Sequence, residues 1–216
     1  MLSVKRIVGM RKWGALGLIL LAVPCVQAEQ EKEWISLFNG KDLSGWKVNE
    51  NPQSIRVEDG CLITNGPCSH AFFVGRDGKA DFTNFHLQAE VMTQPGANSG
   101  IYFHTKFQPD GWPEHGYEGQ VNNTHGDTIK TGSLYAVAKN EQAPAQDGEW
   151  FRYEIVVRGR RIITKVNDKT ITDYVEPENL DRDTPRLSHG TFALQAHDPG
   201  SKVAYRQIRV KRLPTP

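Results

Sequence analysis

Glu118 lies in the middle of the run Gly116-Tyr117-Glu118-Gly119-Gln120-Val121-Asn122, where neither a turn nor a helix cap accounts for a carboxylate. The run alternates, so Glu118, Gln120 and Asn122 share one face of a strand. A second run, Asn98-Ser99-Gly100-Ile101-Tyr102-Phe103-His104, sets Tyr102 and His104 on one face and Ile101 and Phe103 on the other. A third, 190–197, aligns Gln195 with His197 and turns Phe192, Leu194 and Ala196 toward a core. Carboxylate, amide, phenol and imidazole groups gathered on strand faces suit a hydroxyl-rich ligand, and a sugar fits that description. A partly buried Glu118 would have a raised pKa and act as a general base, and an imidazole at a strand end can exchange protons near neutrality. Plainer roles compete: an ion pair for Glu118, a satisfied hydrogen bonder for His197.

Missing motifs narrow the chemistry. Sandwich-fold glucanases place their two carboxylates as Glu-x-Asp-x-x-Glu on one strand; here Gln120 and Asn122 stand where the further acids would be. A Gly-x-Ser-x-Gly elbow, a phosphate-binding glycine loop and an HExxH motif are absent. No cofactor and no metal are predicted, although a divalent metal held by ligands from distant strands would leave no local motif, and Asp181 and Asp183 are loop carboxylates of the kind calcium takes.

The elements that must position these groups are short and alternating: 56–63, 85–92, 100–104, 117–121, 133–137, 150–157, 161–167, 190–197 and 202–211. Turn signals such as Asp59-Gly60, Asn65-Gly66-Pro67, Asp147-Gly148 and Asp198-Pro199-Gly200 separate them. The pattern predicts an all-β fold, two antiparallel sheets packed as a sandwich. In 150–167 a hairpin turns at Arg158-Gly159-Arg160, with Tyr153, Ile155 and Val157 facing inward. Two long connections, 106–115 and 176–189, are candidate functional rims. Trp112, between Gly111 and Pro113, is either a stacking platform for a sugar ring or a plug on the core. Arg206 falls by alternation on the apolar face of Ala204, Ile208 and Val210, so a buried anchor satisfied by a carboxylate or by carbonyls is expected there.

Residues 1–28 read as a signal peptide: Lys5, Arg6, Arg11 and Lys12, an apolar stretch from Trp13 to Val23, then Val26-Gln27-Ala28. Removing them takes the formal charge from +1 to −3 and leaves 29–216 as one sandwich domain, secreted or periplasmic, with no membrane segment. No basic stripe for nucleic acid is present. The oligomeric state is not legible. Cys61 and Cys68 flank a turn and are either bridged across a hairpin or free thiols.

The opening Leu37-Phe38-Asn39-Gly40-Lys41-Asp42-Leu43-Ser44-Gly45-Trp46 resembles the start of the 3-keto-disaccharide hydrolase family. Matching motifs follow in order: Asn98 to Phe103, Gly116 to Val121, Thr131 to Tyr135, Gly148 to Trp150, Leu194 to His197 and Val203 to Ile208. That resemblance implies a concanavalin A-like jelly roll, a carbohydrate substrate, and cleavage of glycosides oxidised at C3. The ketone acidifies the hydrogen on C2, so one base and one acid suffice for elimination, followed by hydration. On this view Glu118 or His104 is the base, His197 protonates the leaving oxygen, and Tyr102, Gln120, Asn122, Gln195 and Trp112 bind the sugar. His104 stands where the family often has Arg, which bears on substrate preference. A non-catalytic lectin-like module and a conventional glucanase are the alternatives.

Overall fold

The computed structural model describes residues Glu33–Pro216; the segment read as a signal peptide lies outside the described residues. The strands are β1 (Ile35–Ser36), β2 (Trp46–Val48), β3 (Ile55–Glu58), β4 (Cys61–Thr64), β5 (Ser69–Phe73), β6 (Phe85–Thr93) and β7 (Ser99–Thr105). They continue with β8 (Tyr117–Val121), β9 (Phe151–Arg158), β10 (Arg161–Val166), β11 (Lys169–Val175), β12 (Thr191–Ala196) and β13 (Val203–Arg212). One sheet runs β11-β10-β9-β6-β13-β4-β3 with β1 beside β13; the other runs β2-β5-β12-β7-β8. Every pairing is antiparallel.

Alternation explains the core. Leu87, Ala89 and Val91 of β6 and Tyr153, Ile155 and Val157 of β9 face Ile101 and Phe103 of β7 and Phe192 and Leu194 of β12 across the sandwich, all buried in one cluster. The expected hairpin is present, with Arg158 paired to Arg161. The two sheets, both antiparallel and packed face to face, form the sandwich the strand pattern predicts, and the jelly roll the family resemblance implies.

Four departures have local causes. The run 56–63 is two strands, because Asp59 (φ 49°) and Gly60 (φ 76°) turn the chain between them. The run 133–137 is not a strand; Leu134 makes single bridges to Gly119 and Ala138 inside the long β8–β9 connection. Gln207 (φ 49°) forms a bulge in β13, so the alternation resets between Arg206 and Arg209. Arg206 therefore turns outward, its Nε donates to Glu90 Oε2 at 2.6 Å, and its guanidinium lies 3.9 Å from the Trp150 ring centroid. Of the two kinds of partner expected, a carboxylate serves, but outside the core. Finally, β4 and β5 belong to different sheets, so the 65–67 turn is a crossover rather than a hairpin. Cys61 and Cys68 are free thiols, and burial with the nearby Glu50 carboxylate pushes Cys68 up to about 11.

Candidate active site

The site lies on the face of the five-stranded sheet turned away from the core. Register builds it: Tyr102 of β7 pairs with Glu118 of β8, Ala193 of β12 with Tyr102, and Gln195 of β12 with His70 of β5. Opposed side chains in neighbouring strands stand close enough to bond. Tyr102 Oη donates to Glu118 Oε2 at 2.9 Å, while Gln195 Nε2 lies 3.2 Å from Glu118 Oε1 and 3.1 Å from Tyr102 Oη.

Two glycines make room for that carboxylate. A Cβ on Gly100 would lie 2.1 Å from Glu118 Oε1, so only glycine admits the side chain there. A Cβ on Gly119 would meet the Tyr153 hydroxyl at 2.8 Å and Ile155 Cδ1 at 2.9 Å. The opposite sheet therefore presses directly against the back of Glu118's strand and holds it.

Burial dominates the electrostatics. Desolvation raises Glu118 to about 7, against the hydrogen bonds from Tyr102 and Gln195, which lower it; Asp127 pushes it further up. Burial first, and Glu118's charge second, hold the Tyr102 phenol far above its ordinary range, so it stays a proton donor in the hydrogen bond. Glu118 thus exchanges its proton near neutrality.

Three loops roof this face, which is why β5, β7, β8 and β12 are buried on both sides rather than one. They enclose a cavity of about 350 Å³ lined by Asn98, Tyr102, Glu118, Gln120, Gln195 and His197, with Trp112 and Tyr135 at its edges. Trp112 is 48% exposed and Tyr135 42%, two open aromatic faces flanking one carboxylate. Trp112 stands exposed at the cavity edge and does not plug the core. His197, just beyond β12, holds Asp198 Oδ2 through Nδ1 at 2.7 Å and lies against Trp112 with ring centroids 5.3 Å apart. Desolvation pulls the Asp198 carboxyl upward, but hydrogen bonds from Ser201, His197 and the Gly200 N–H outweigh it and leave the group below its ordinary value. Two acceptors, Gln120 Oε1 and Gln195 Oε1, are buried without a hydrogen-bond partner, as a site awaiting hydroxyl donors requires.

Two of the expected residues are elsewhere. His104 has φ 55°, and the β7–β12 register shifts beside it, so its side chain does not follow Tyr102. Its ring packs against Phe85 and Phe103; Nε2 donates to Thr83 O at 2.9 Å, and Nδ1 accepts from Ser188 N at 3.2 Å. Burial pushes it down to about 4, so His104 is a neutral structural bridge and not a base. Asn122 is fully buried with its amide donating to Asp127 O and Ile129 O, tying down the β8–β9 loop, and it does not line the cavity. That loop supplies Asp127 and Tyr135 to the cavity; the run 133–137 and the motif Thr131 to Tyr135 marked Tyr135 without giving it a site role, and no local pattern marked Asp127. Asn98 was missed as well.

The rim at 176–189 is pinned from below. Glu176 accepts from Tyr117 Oη and from Leu187 N, and Arg182 Nη2 reaches Tyr117 Oη at 3.1 Å while its Nε donates to Pro185 O at 2.7 Å. That network sets Thr184 and Pro185 at the cavity edge. Among the described residues no group of three or more His, Cys, Asp or Glu side chains is placed to hold a metal.

Comparison with known proteins adds the lineage. Residues 33–211 match the model of the 3-keto-alpha-glucoside-1,2-lyase-like domain. No curated protein matches significantly. A solved structure of a candidate glycosyl hydrolase from Parabacteroides distasonis ATCC 8503 superposes with TM-score 0.72 at 22% identity, covering 87% of this chain and 97% of that one. The Bacillus subtilis protein with a galectin-like fold gives 0.55 at 12% identity over 85% and 96%, and the laminarinase from Rhodothermus marinus 0.52 at 15% over 83% and 95%. At such identities the likeness is one of fold, the lectin and glucanase jelly roll.

Proposed function

Because this chain belongs to the family of 3-keto-alpha-glucoside-1,2-lyase-like domains, a carbohydrate-active family, we propose that it cleaves glycosides whose sugar carries a ketone at C3. The observation that supports this most directly is Glu118: one buried carboxylate, brought to about 7, lining an open cavity that His197 also lines. A base poised near neutral pH matches a hydrogen acidified by an adjacent ketone.

Glu118 removes the proton from C2. The electron pair forms the C1–C2 double bond as the C1–O bond breaks, and His197 gives its proton to the departing oxygen. Asp198 holds the imidazole through Nδ1, leaving Nε2 for that transfer. Water then adds across the double bond, with Glu118 returning its proton to C2 and His197 taking one from the water. Gln120 Oε1 and Gln195 Oε1 accept ring hydroxyls, and Trp112 and Tyr135 lie against sugar faces. We place the reaction outside the cytoplasm, following the amino-terminal segment.

The test is incubation of the purified protein with a 3-keto-glucoside and with its unoxidised parent. Release from the keto compound alone, abolished in Glu118→Gln, is the expected result. Release from the parent would favour a conventional glycosidase, for which Asp127 and Glu114 in the same cavity are the available second carboxylates. Saturable binding without turnover would make it a lectin.

A further inference from the structure

The cavity that holds Glu118 is lopsided in charge. Glu114, Glu118 and Asp127 line it, and among the described residues no lysine or arginine does. The cations of the neighbouring loops are committed elsewhere: Lys130 Nζ donates to His125 O at 2.7 Å and to Asp127 O at 2.8 Å, while Arg182 is held by Pro185 O and Tyr117 Oη. The His197 imidazole is matched by Asp198. Asp127 is half-buried, its Oδ1 fixed by Ile129 N at 2.9 Å, and its charge reaches Glu118, whose carboxyl it pushes up. Neither Asp127 nor Glu114 has an ion-pair partner among the described residues. The neutral groups lean the same way. Gln120 and Gln195 line the cavity, are almost wholly buried, and each keep an Oε1 without a hydrogen-bond partner. Buried acceptors are nearly always paired, so these two call for donors from a ligand.

We infer that this cavity selects its sugar by charge, with Asp127 as the specificity-determining residue: a free amino group is favoured, a hydroxyl accepted, and a carboxylate or phosphate rejected. The inference rests on the reading above only in taking the cavity as the sugar site; the elimination chemistry is not needed for it. The ligand class that fits best is an amino sugar with an unacylated nitrogen. An ammonium carries three donors and no acceptor, the complement of a wall that offers carboxylates and orphan amide oxygens. It is also attracted to electron-rich ring faces, which Trp112 and Tyr135 present at the cavity edge. A carboxylate in its place meets like charge at Asp127 and Glu118 and finds no free cation on the cavity wall.

The experiment is calorimetric titration of the purified protein at pH 7 with methyl glucoside, its C6-amino and C2-amino derivatives and methyl glucuronide, all unoxidised and each differing from the parent in one substituent. Expected is about tenfold tighter binding of at least one amine than of the parent, the worth of one charge-assisted hydrogen bond, and about tenfold weaker binding of the glucuronide. Asp127→Asn keeps the Oδ1 acceptor for Ile129 N and removes the charge, so the amine-to-parent ratio should fall to about twofold or less. Both ratios should shrink as salt rises from about 0.02 M to about 0.5 M, which a purely steric preference would not show. Failure of both amines to bind, a glucuronide that binds as well as the parent, or an amine preference that survives in Asp127→Asn overturns the inference. If the variant does not fold, the salt series on wild type decides, and ratios that ignore salt overturn it. Turnover of a 3-keto-glucoside without this order of affinities refutes the inference alone; the order without turnover refutes the reaction and keeps the inference.

Discussion

Tyr102→Phe tests how Glu118 is tuned. The substitution deletes one hydroxyl that donates to Glu118 Oε2 at 2.9 Å and leaves the ring, and so the burial that raises the carboxyl, in place. A hydrogen bond to a charged acceptor contributes about 1.5–3 kcal/mol, and about 1.4 kcal/mol corresponds to one pKa unit. The bond favours the ionised form, so losing it moves Glu118 upward, by about one unit once Gln195 and entering water compensate in part. For a base that must be ionised, kcat/KM rises with pH through its pKa. Wild type should therefore show an acid limb near 7, and Tyr102→Phe a limb near 8, with the ionised fraction at pH 7 dropping from about one half to about one tenth. The assay is kcat/KM on a 3-keto-glucoside from pH 5 to 9, with circular dichroism confirming the fold at each pH. A wild-type limb near 4.5, or a Tyr102→Phe limb that stays or moves down, would show that burial does not set the base.

Gly100→Ala puts a methyl group where Glu118 Oε1 now sits, so turnover should fall by about a hundredfold and the crowding should cost about 1–3 kcal/mol of stability, checked by single-turnover kinetics and calorimetry. Glu118→Gln should stabilise the fold at alkaline pH. The native carboxyl binds its proton more tightly than the unfolded one, so its ionisation costs stability as pH rises from about 4.5 to 7. The gain of the variant over wild type should grow across that window to at most about 3 kcal/mol and vanish below it, measured by urea unfolding. His70 and His104 act with opposite sign. Both are held neutral well below the ordinary histidine range, so wild type loses stability as pH falls below about 6.5, and His70→Phe should flatten that decline. His104→Ala should lower the unfolding midpoint by removing the bridge between Thr83 and Ser188, yet leave the pH of the acid limb where it is, because the ring lies outside the cavity.

The residues that were legible are those governed by a two-residue period over an unbroken strand. Glu118 and Gln120 on β8, and Gln195 on β12 with Phe192, Leu194 and Ala196 turned inward, followed from alternation alone, since a pleated strand leaves each side chain no choice of face. His104 and Arg206 broke the same rule, each at a bulge, with a positive φ at His104 itself and at Gln207 next to Arg206. A bulge depends on the partner strand's register, which no local window contains. Asn122 continued the pattern in sequence but was taken by carbonyls of the loop that follows it.

By itself the sequence determined an all-β sandwich, its family, and the strand faces that carry a carboxylate and amides. Only the tertiary structure decided that loops far apart in the chain close over that face, that Glu118 loses enough water to titrate near 7, and that His70 lies unpaired under Trp112. Alternation is a property of one strand, whereas desolvation and the roof of a cavity arise from elements brought together across the chain, and their effect on a proton depends on distances that composition does not encode.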